Sequence, residues 1–353
     1  MESLGNIVQD LTLIVGSATL AFIISLTLTP WFTKQLIKFK IGKQIRENAI
    51  SGEKSSLFSA LHAKKSGTPT MGGLLIWGTI VVVVIISMIL KELNFFNHSL
   101  FNRNETWIPL FTLVSCGILG AVDDYLNVKE IGKTKGISAK LKLLWLFIFS
   151  AAGAWWFYSK LGYSSISIPV PGIEALELGI WYIPVFILVI ISTANAVNFT
   201  DGLDGLASGL LILAFSSFGI LAYTQGLLIL SALCAVIVGA VVAFLWFNVP
   251  PAKFYMGDTG SLALGATLGV IAMLTDQTLI LPIIGFIFVI ETLSVIIQLS
   301  SKKFLGRKVF KIAPIHHHFE QTGWKEWTIV MRFWIIGAIM GAFGTILGIL
   351  NIL

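Results

Sequence analysis

Four clusters of carboxylates, amides and imidazoles stand in the short polar gaps of an otherwise apolar chain. They are Asp123–Asp124, the run Asn195-Ala-Val-Asn198-Phe-Thr-Asp201-Gly-Leu-Asp204-Gly205, the segment Tyr255-Met-Gly257-Asp258, and His316-His317-His318. A carboxylate pair at a helix end can be no more than a solvated terminus. It is also the usual way to hold Mg2+ by one or two oxygens while other positions stay open to substrate phosphates. In the second run Asn195, Asn198, Asp201 and Asp204 recur every third residue, which on helical or turn-like backbone brings several of them to one side. Gly202 and Gly205 allow tight turns and close ligand approach there. Asp258 stands at the start of a helix, where capping alone would account for it, yet a helix N-terminus beside a carboxylate also seats a metal bridging to phosphate. Tyr255 and Gly257 flank it on the substrate side. Consecutive histidines point in different directions, which argues against a three-histidine zinc site and for a loop that meets phosphate or sugar oxygens.

The elements that must carry these clusters follow from composition. With 56% of its 353 residues hydrophobic and 12% charged, against about a quarter charged in soluble domains, the chain is an integral membrane protein. Apolar stretches of about twenty residues match a hydrocarbon core of about 30 Å. They fall at 11–33, 70–90, 107–122, 141–158, 180–197, 205–223, 227–248, 260–275, 279–300 and 328–351. The runs are continuously apolar rather than alternating, which selects helices over barrel strands. The expected fold is all-α, a polytopic bundle of about ten transmembrane helices forming one domain over 1–353. The first span is expected to stay in the mature protein, because it follows acidic Glu2 and Asp10 and lacks a positive leader. Cys116 and Cys234 lie inside spans and read as small buried apolar residues. Outside the spans, 159–179 holds an alternating run bounded by turn residues, suited to a short hairpin. Glu291 and Gln298, seven apart in the ninth span, share a helical face that is costly to turn toward lipid.

Of the 24 lysines and arginines, all but Lys91, Arg103 and Lys160 fall in the loops on one side. The positive-inside rule makes that side cytoplasmic and, with an even number of spans, puts both termini outside. Sorting was by charge alone, yet every polar cluster lands on the basic face. The basic segments 34–69, 123–140 and 300–327 serve topology and attraction to anionic headgroups, and they would also draw an anionic substrate such as a nucleotide diphosphate into a positive basin. No nucleic-acid partner is expected. The loop Lys64-Lys65-Ser-Gly67-Thr-Pro-Thr70-Met-Gly72-Gly73 is suited to an anion, although it lacks P-loop spacing.

In this order, Asp-Asp, Asn-Ala-Val-Asn-Phe-Thr-Asp-Gly-Leu-Asp-Gly, Met-Gly-Asp-Thr-Gly and Pro-Ile-His-His-His-Phe-Glu resemble the motifs of the polyprenyl-phosphate N-acetylhexosamine-1-phosphate transferases. The His-His-His-Phe-Glu loop and Gly67–Gly73 narrow the resemblance, over essentially the whole chain, to the phospho-N-acetylmuramoyl-pentapeptide transferases of bacterial cell-wall synthesis. It implies transfer of phospho-MurNAc-pentapeptide from UDP-MurNAc-pentapeptide to undecaprenyl phosphate, giving lipid I and UMP with Mg2+, in the bacterial inner (cytoplasmic) membrane and as a homodimer. By motif, Asp258 matches the metal-binding aspartate, Asp123 and Asp124 the essential pair, and His316, His317 and His318 the substrate loop. Lys65, Thr70, Asn198, Asp201 and Gln298 match donor or nucleotide contacts, and Asn195, Asp204, Tyr255 and Gly257 belong to the same motifs. Asn127 stands where relatives often carry lysine. Lys133 is favoured over Lys129 and Lys135 as the phosphate contact in that loop.

An anionic lipid phosphate attacking a pyrophosphate needs its like-charge repulsion offset by a divalent cation and lysines. The expected course is direct attack, with Asp123 orienting or deprotonating the acceptor. The competing course makes Asp258 or Asp124 a nucleophile. The acceptor's tail requires an apolar path between helices, and Pro282 and Gly285 permit a bend that could open one. Two rival readings share parts of this pattern. A GlcNAc-1-phosphate transferase would keep the aspartates but not the His-His-His-Phe-Glu loop. A cation-coupled transporter would place its polar groups near mid-bilayer in repeated halves, and no such repeat is present.

Overall fold

The computed structural model describes residues 2–42, 67–95, 98–102, 105–131, 136–170 and 172–352. Long helices account for most of them: α1 (Glu2–Lys38), α2 (Gly73–Glu92), α3 (Trp107–Val128), α4 (Ala139–Trp156), α5 (Tyr182–Thr200), α6 (Leu206–Thr224), α7 (Leu228–Asn248), α8 (Asp258–Leu274), α9 (Phe286–Leu305) and α11 (Glu326–Ile352), with a short α10 (Ile315–Gln321) before the last. Each expected apolar stretch coincides with one of the long helices. Eight of these, α1 to α7 and α11, are long and apolar enough to cross a membrane. The protein is therefore an all-α polytopic membrane protein.

The bundle is built around α8. Its 17 residues rise about 25 Å at ~1.5 Å each, short of a hydrocarbon core of about 30 Å. Length matters little here, because every residue from Thr259 to Leu274 is buried and the helix meets protein rather than lipid. Small residues let its neighbours come close. A side chain at Gly73 would strike Gly260, one at Gly120 would strike the Asp258 carbonyl, and one at Gly265 would strike Thr193 and Ala194. Helix association in membranes relies on such small contacts, since lipid offers no hydrophobic drive to separate helices from it. Here α2, α3 and α5 are drawn against α8, and α3 and α8 meet where each carries its aspartates.

The expected hairpin is present: β1 (Ser165–Ile166) pairs antiparallel with β2 (Leu176–Glu177). It packs at the end where α8 finishes, with Tyr163 donating from its hydroxyl to the Leu274 carbonyl at 3.0 Å. The bend expected near Pro282 and Gly285 also appears, as a single turn Leu281–Ile284 set off from α9 at Gly285. Glu291 and Gln298 both face inward, at 0% and 2% exposed, as their cost in lipid demands. Cys116 and Cys234 are buried, unpaired thiols.

Candidate active site

Neighbouring helices run up and down, so the C-terminal ends of α3, α5, α7 and α9 meet the N-terminal ends of α2, α4, α6, α8 and α11. Contacts at that end link the four sequence clusters. The loop Gly67–Gly73 pairs with Tyr255–Met256 through Tyr255 N–H to the Pro69 carbonyl (2.8 Å), Gly72 N–H to the Tyr255 carbonyl (2.8 Å) and Gly73 N–H to the Met256 carbonyl (2.9 Å). This brings Thr70, itself buried, beside Gly257, where a side chain would meet both the Thr70 hydroxyl and the Asp124 carboxylate. Gly257 has a φ of +71°, a left-handed conformation that a side chain would strain. It turns the chain into α8 directly under these groups.

Three carboxylates converge there. Asp123, Asp124 and Asp258 each present an oxygen within 4.8 Å of the others. Asp124 serves the start of α8: it accepts from Asp258 N–H at 3.2 Å, Thr259 N–H at 3.0 Å and the Thr259 hydroxyl at 2.6 Å. The first amides of a helix have no partner within it, so a carboxylate arriving from α3 is well placed to cap them. Asp123 accepts from Ile137 N–H at 2.6 Å and meets the Lys142 ammonium at 2.6 Å. Lys142 reaches Asp258 at the same 2.6 Å. Asp258 takes a further bond, from the Asn198 amide at 2.8 Å, and that amide also donates to Ser261 at 2.9 Å. Asp258 is the most open of the three acids, with a side chain 22% exposed against 3% for Asp123.

Lys142 belongs to this cluster although the sequence alone does not single it out. It lies one turn into α4, whose N-cap Ser138 accepts from Leu141 N–H, and it was counted only among the basic loop residues. The signal was available: a lysine inside an apolar span is costly unless it has work to do. Lys133, and likewise Lys65, lie outside the described residues. Lys129, at the end of α3, is exposed.

Around the next turn, Asp201 closes α5 and Gly205, at φ +82°, opens α6. The turn is held from several sides. Asp204 donates its N–H to Glu326 at 2.8 Å and accepts from Ala252 N–H at 2.9 Å. Buried Asn248 accepts from Gly205 N–H at 3.0 Å and donates to the Phe254 carbonyl at 3.0 Å. Asn248 and Glu326 were not singled out from the sequence, though Asn248 ends an apolar helix just before Pro250–Pro251. Asn195 donates to the Ile191 carbonyl of its own helix at 2.7 Å.

The histidines separate as their succession implied. His316 is fully buried with Nδ1 2.9 Å from Glu291. His317 pairs with Glu320 at 2.6 Å, and His318 accepts from Lys311 N–H at 3.1 Å. Gln298 pins the preceding segment, accepting from Val309 N–H (3.1 Å) and Phe310 N–H (3.0 Å) while donating to the Phe310 carbonyl (3.0 Å).

An all-oxygen carboxylate set suits a hard divalent cation. The position of the Lys142 ammonium, between Asp123 and Asp258, shows where this site calls for positive charge. Asp258, Asp123 and Asp124 could hold such an ion.

Residues 106–276 match the model of glycosyl transferase family 4, and residues 65–76 match signature 1 of the phospho-N-acetylmuramoyl-pentapeptide transferases. Three relatives carry the name phospho-N-acetylmuramoyl-pentapeptide-transferase. That of Geobacillus sp. (strain WCH70) is 39% identical over 92% of this chain and 94% of its own. That of Anoxybacillus flavithermus (strain DSM 21510 / WK1) is 41% identical over 94% and 96%, and that of Bacillus anthracis (strain A0248) is 41% identical over 94% and 97%.

Proposed function

Because the chain belongs to the phospho-N-acetylmuramoyl-pentapeptide transferase family, we propose that it transfers phospho-MurNAc-pentapeptide from UDP-MurNAc-pentapeptide to undecaprenyl phosphate. The products are lipid I and UMP. In this reading the chain crosses the bacterial inner membrane ten times, with both termini outside and the aspartate end in the cytoplasm, and it works as a homodimer. The observation that carries the reading is the convergence of Asp123, Asp124 and Asp258 at the basic end, with Lys142 bridging Asp123 and Asp258. Three acids so close repel one another unless a cation or a retained proton offsets their charge, and Lys142 is one such cation.

Mg2+ held by Asp258, with Asp123 and Asp124 in reach, would offset charge on the donor pyrophosphate and on the attacking phosphate. The protein's own residues do the rest. Asn198 and Lys142 fix Asp258 from two sides, so it faces the opening with one orientation. Lys142 neutralises the entering phosphates, and Asp123, whose oxygens are taken by Ile137 N–H and Lys142, orients the acceptor phosphate by holding that ammonium toward it. The acceptor oxygen bonds to the sugar-bearing phosphorus, the bond from that phosphorus to the bridging oxygen breaks, and UMP leaves with the electron pair. The commitment of both Asp124 oxygens to the start of α8 favours direct attack over a covalent intermediate at that residue. Thr70, Asn195, Asp201, Asp204, Tyr255, Gly257, Gln298 and the segment His316–His318 line or support the donor side, and Lys65 and Lys133 add charge to it.

The test is UMP release by detergent-solubilised protein supplied with undecaprenyl phosphate and Mg2+ and either UDP-MurNAc-pentapeptide or UDP-GlcNAc. Release with the first donor alone is expected. Release with UDP-GlcNAc alone would move the chain to the GlcNAc-1-phosphate branch. A phospho-sugar adduct trapped on the enzyme without acceptor would overturn direct attack.

A further inference from the structure

Glu291 and His316 form a buried polar pair that no step of the proposed reaction uses. Both are 0% exposed. Glu291 lies on α9 and His316 in the first turn of α10, with Nδ1 and Oε2 2.9 Å apart. A carboxylate oxygen accepts, so His316 donates through Nδ1–H, and in the neutral ring Nε2 then carries no proton. Nε2 has no hydrogen-bond partner among the described residues, and neither has the other Glu291 oxygen. A buried polar atom left unpaired costs about 1–3 kcal/mol, so something other than stability accounts for a carboxyl side chain placed behind this histidine.

What Nε2 does meet is Gly202. A Cβ built on Gly202 would collide with Nε2, and the ring carbon beside it would crowd the same position. Gly202 does not adopt a left-handed conformation, so glycine is required there for room rather than for its backbone angles. Its own N–H is already spent on the Thr200 carbonyl at 2.8 Å. The imidazole edge therefore abuts the backbone of the Asp201–Gly205 turn, which Glu326, Ala252 and Asn248 also hold. The other tautomer would aim an N–H at this backbone with nothing to accept it, and the ring would have to back away.

We propose that Glu291 is a positioning residue for donor binding: by fixing His316 in the Nδ1–H tautomer it sets the height of the Asp201–Asp204 turn. The role rests on the proposed reading in that this turn faces the UDP-linked donor. Glu291 and His316 act through the turn and touch no substrate.

The experiment has a spectroscopic arm and a kinetic one. In 15N-histidine NMR of the solubilised full chain, with His316 assigned by the resonance lost in His316→Gln, the wild type is expected to show Nδ1 protonated and Nε2 bare. Glu291→Gln, which can offer Nδ1 either an acceptor or a donor, is expected to mix the two tautomers. In the kinetic arm Glu291→Gln raises KM for UDP-MurNAc-pentapeptide roughly tenfold, leaves KM for undecaprenyl phosphate unchanged, and lowers kcat less than about threefold. Gly202→Ala, which pushes on the same contact from the other side, is expected to raise the donor KM alike and carries the kinetic arm if Glu291→Gln does not fold. A wild-type His316 protonated on Nε2, a tautomer unmoved by Glu291→Gln, a donor KM unchanged in the variants, or a loss confined to kcat would each overturn the proposal. Absence of UMP release by the wild type would defeat the proposed function instead, and the tautomer measurement would still decide the pair.

Discussion

The two ends of the bundle use acidic residues in opposite ways. At the end where α8 finishes, Asp276, Glu105 and Asp10 lie apart from one another and accept from neutral donors. Asp276 takes Ser167 N–H at 3.1 Å and the Ser167 hydroxyl. Glu105 takes Leu230 N–H at 3.0 Å and the Asn102 amide at 2.9 Å, and Asp10 takes the Tyr223 hydroxyl at 3.4 Å. At the other end three acids crowd one another with a single lysine between them. Two like charges about 4 Å apart repel by on the order of 4 kcal/mol at an effective dielectric of 20. A fold that needed only loop ties would copy the first arrangement; the second is tolerated where charge is held ready for a ligand.

The largest test of this contrast exchanges one amide for one acid at each end. Asp258→Asn keeps the shape and an acceptor for Asn198 or Lys142 but removes a charge, and UMP release should fall by about 10^3-fold or more, as for lost metal-centred charge stabilisation. Asp276→Asn should leave release within about twofold. Comparable losses from both would abolish the distinction. Next in size, Lys142→Gln should cost about 10^2-fold in release. The same change should tighten divalent-ion binding several-fold, because the ammonium no longer competes for Asp123 and Asp258. Titration with Mn2+ followed by electron paramagnetic resonance reads this directly. Unchanged or weaker binding would show that Lys142 does not occupy the cation's place.

A smaller effect is expected from the packing that creates the crowding. Gly120→Ala puts a methyl against the Asp258 carbonyl and should separate α3 from α8, costing about 1–3 kcal/mol in stability as overpacked contacts do, with release down about tenfold. Gly78 on α2 has open space around it, so Gly78→Ala should change neither by a measurable amount. Thermal unfolding and UMP release on the pair check this, and equal behaviour would mean that close approach at α3 and α8 does not position the acids.

The sequence made the long helices legible because unbroken apolar runs have one stable form in lipid. It also made the polar clusters legible, because each is an expensive exception to its surroundings. Glu291 and Gln298 were found on that ground and are buried as expected. What stayed hidden was partnership. Lys142 looked like topology charge, since nothing in its spacing from Asp123 or Asp258 says that α4 returns its first turn to them. Asn248 and Glu326 stabilise a turn distant in sequence, and no periodicity encodes that contact. Three adjacent histidines looked like one loop feature, whereas one turn of helix sends His316 inward to Glu291 and leaves His317 and His318 to Glu320 and Lys311.

The smallest expected effect sharpens the contrast from the quieter end. Burial lifts the Asp276 carboxyl above the ordinary carboxylate range, against the two Ser167 hydrogen bonds, which draw it down. A carboxyl that is a weaker acid in the folded than in the unfolded chain contributes stability at low pH, and that contribution is lost as pH rises from its unfolded value through its folded one. The melting temperature of the wild type should therefore carry a slight decline as pH rises from the acidic range. Asp276→Asn, which still accepts from Ser167 but cannot ionise, should remove that decline without touching the transferase reaction. Melting curves of both proteins across this pH range check it. A decline that persists in Asp276→Asn would mean that another group supplies it, and a pH-dependent loss of UMP release in this variant would show that the two ends are coupled rather than divided between holding the fold and holding the ligand.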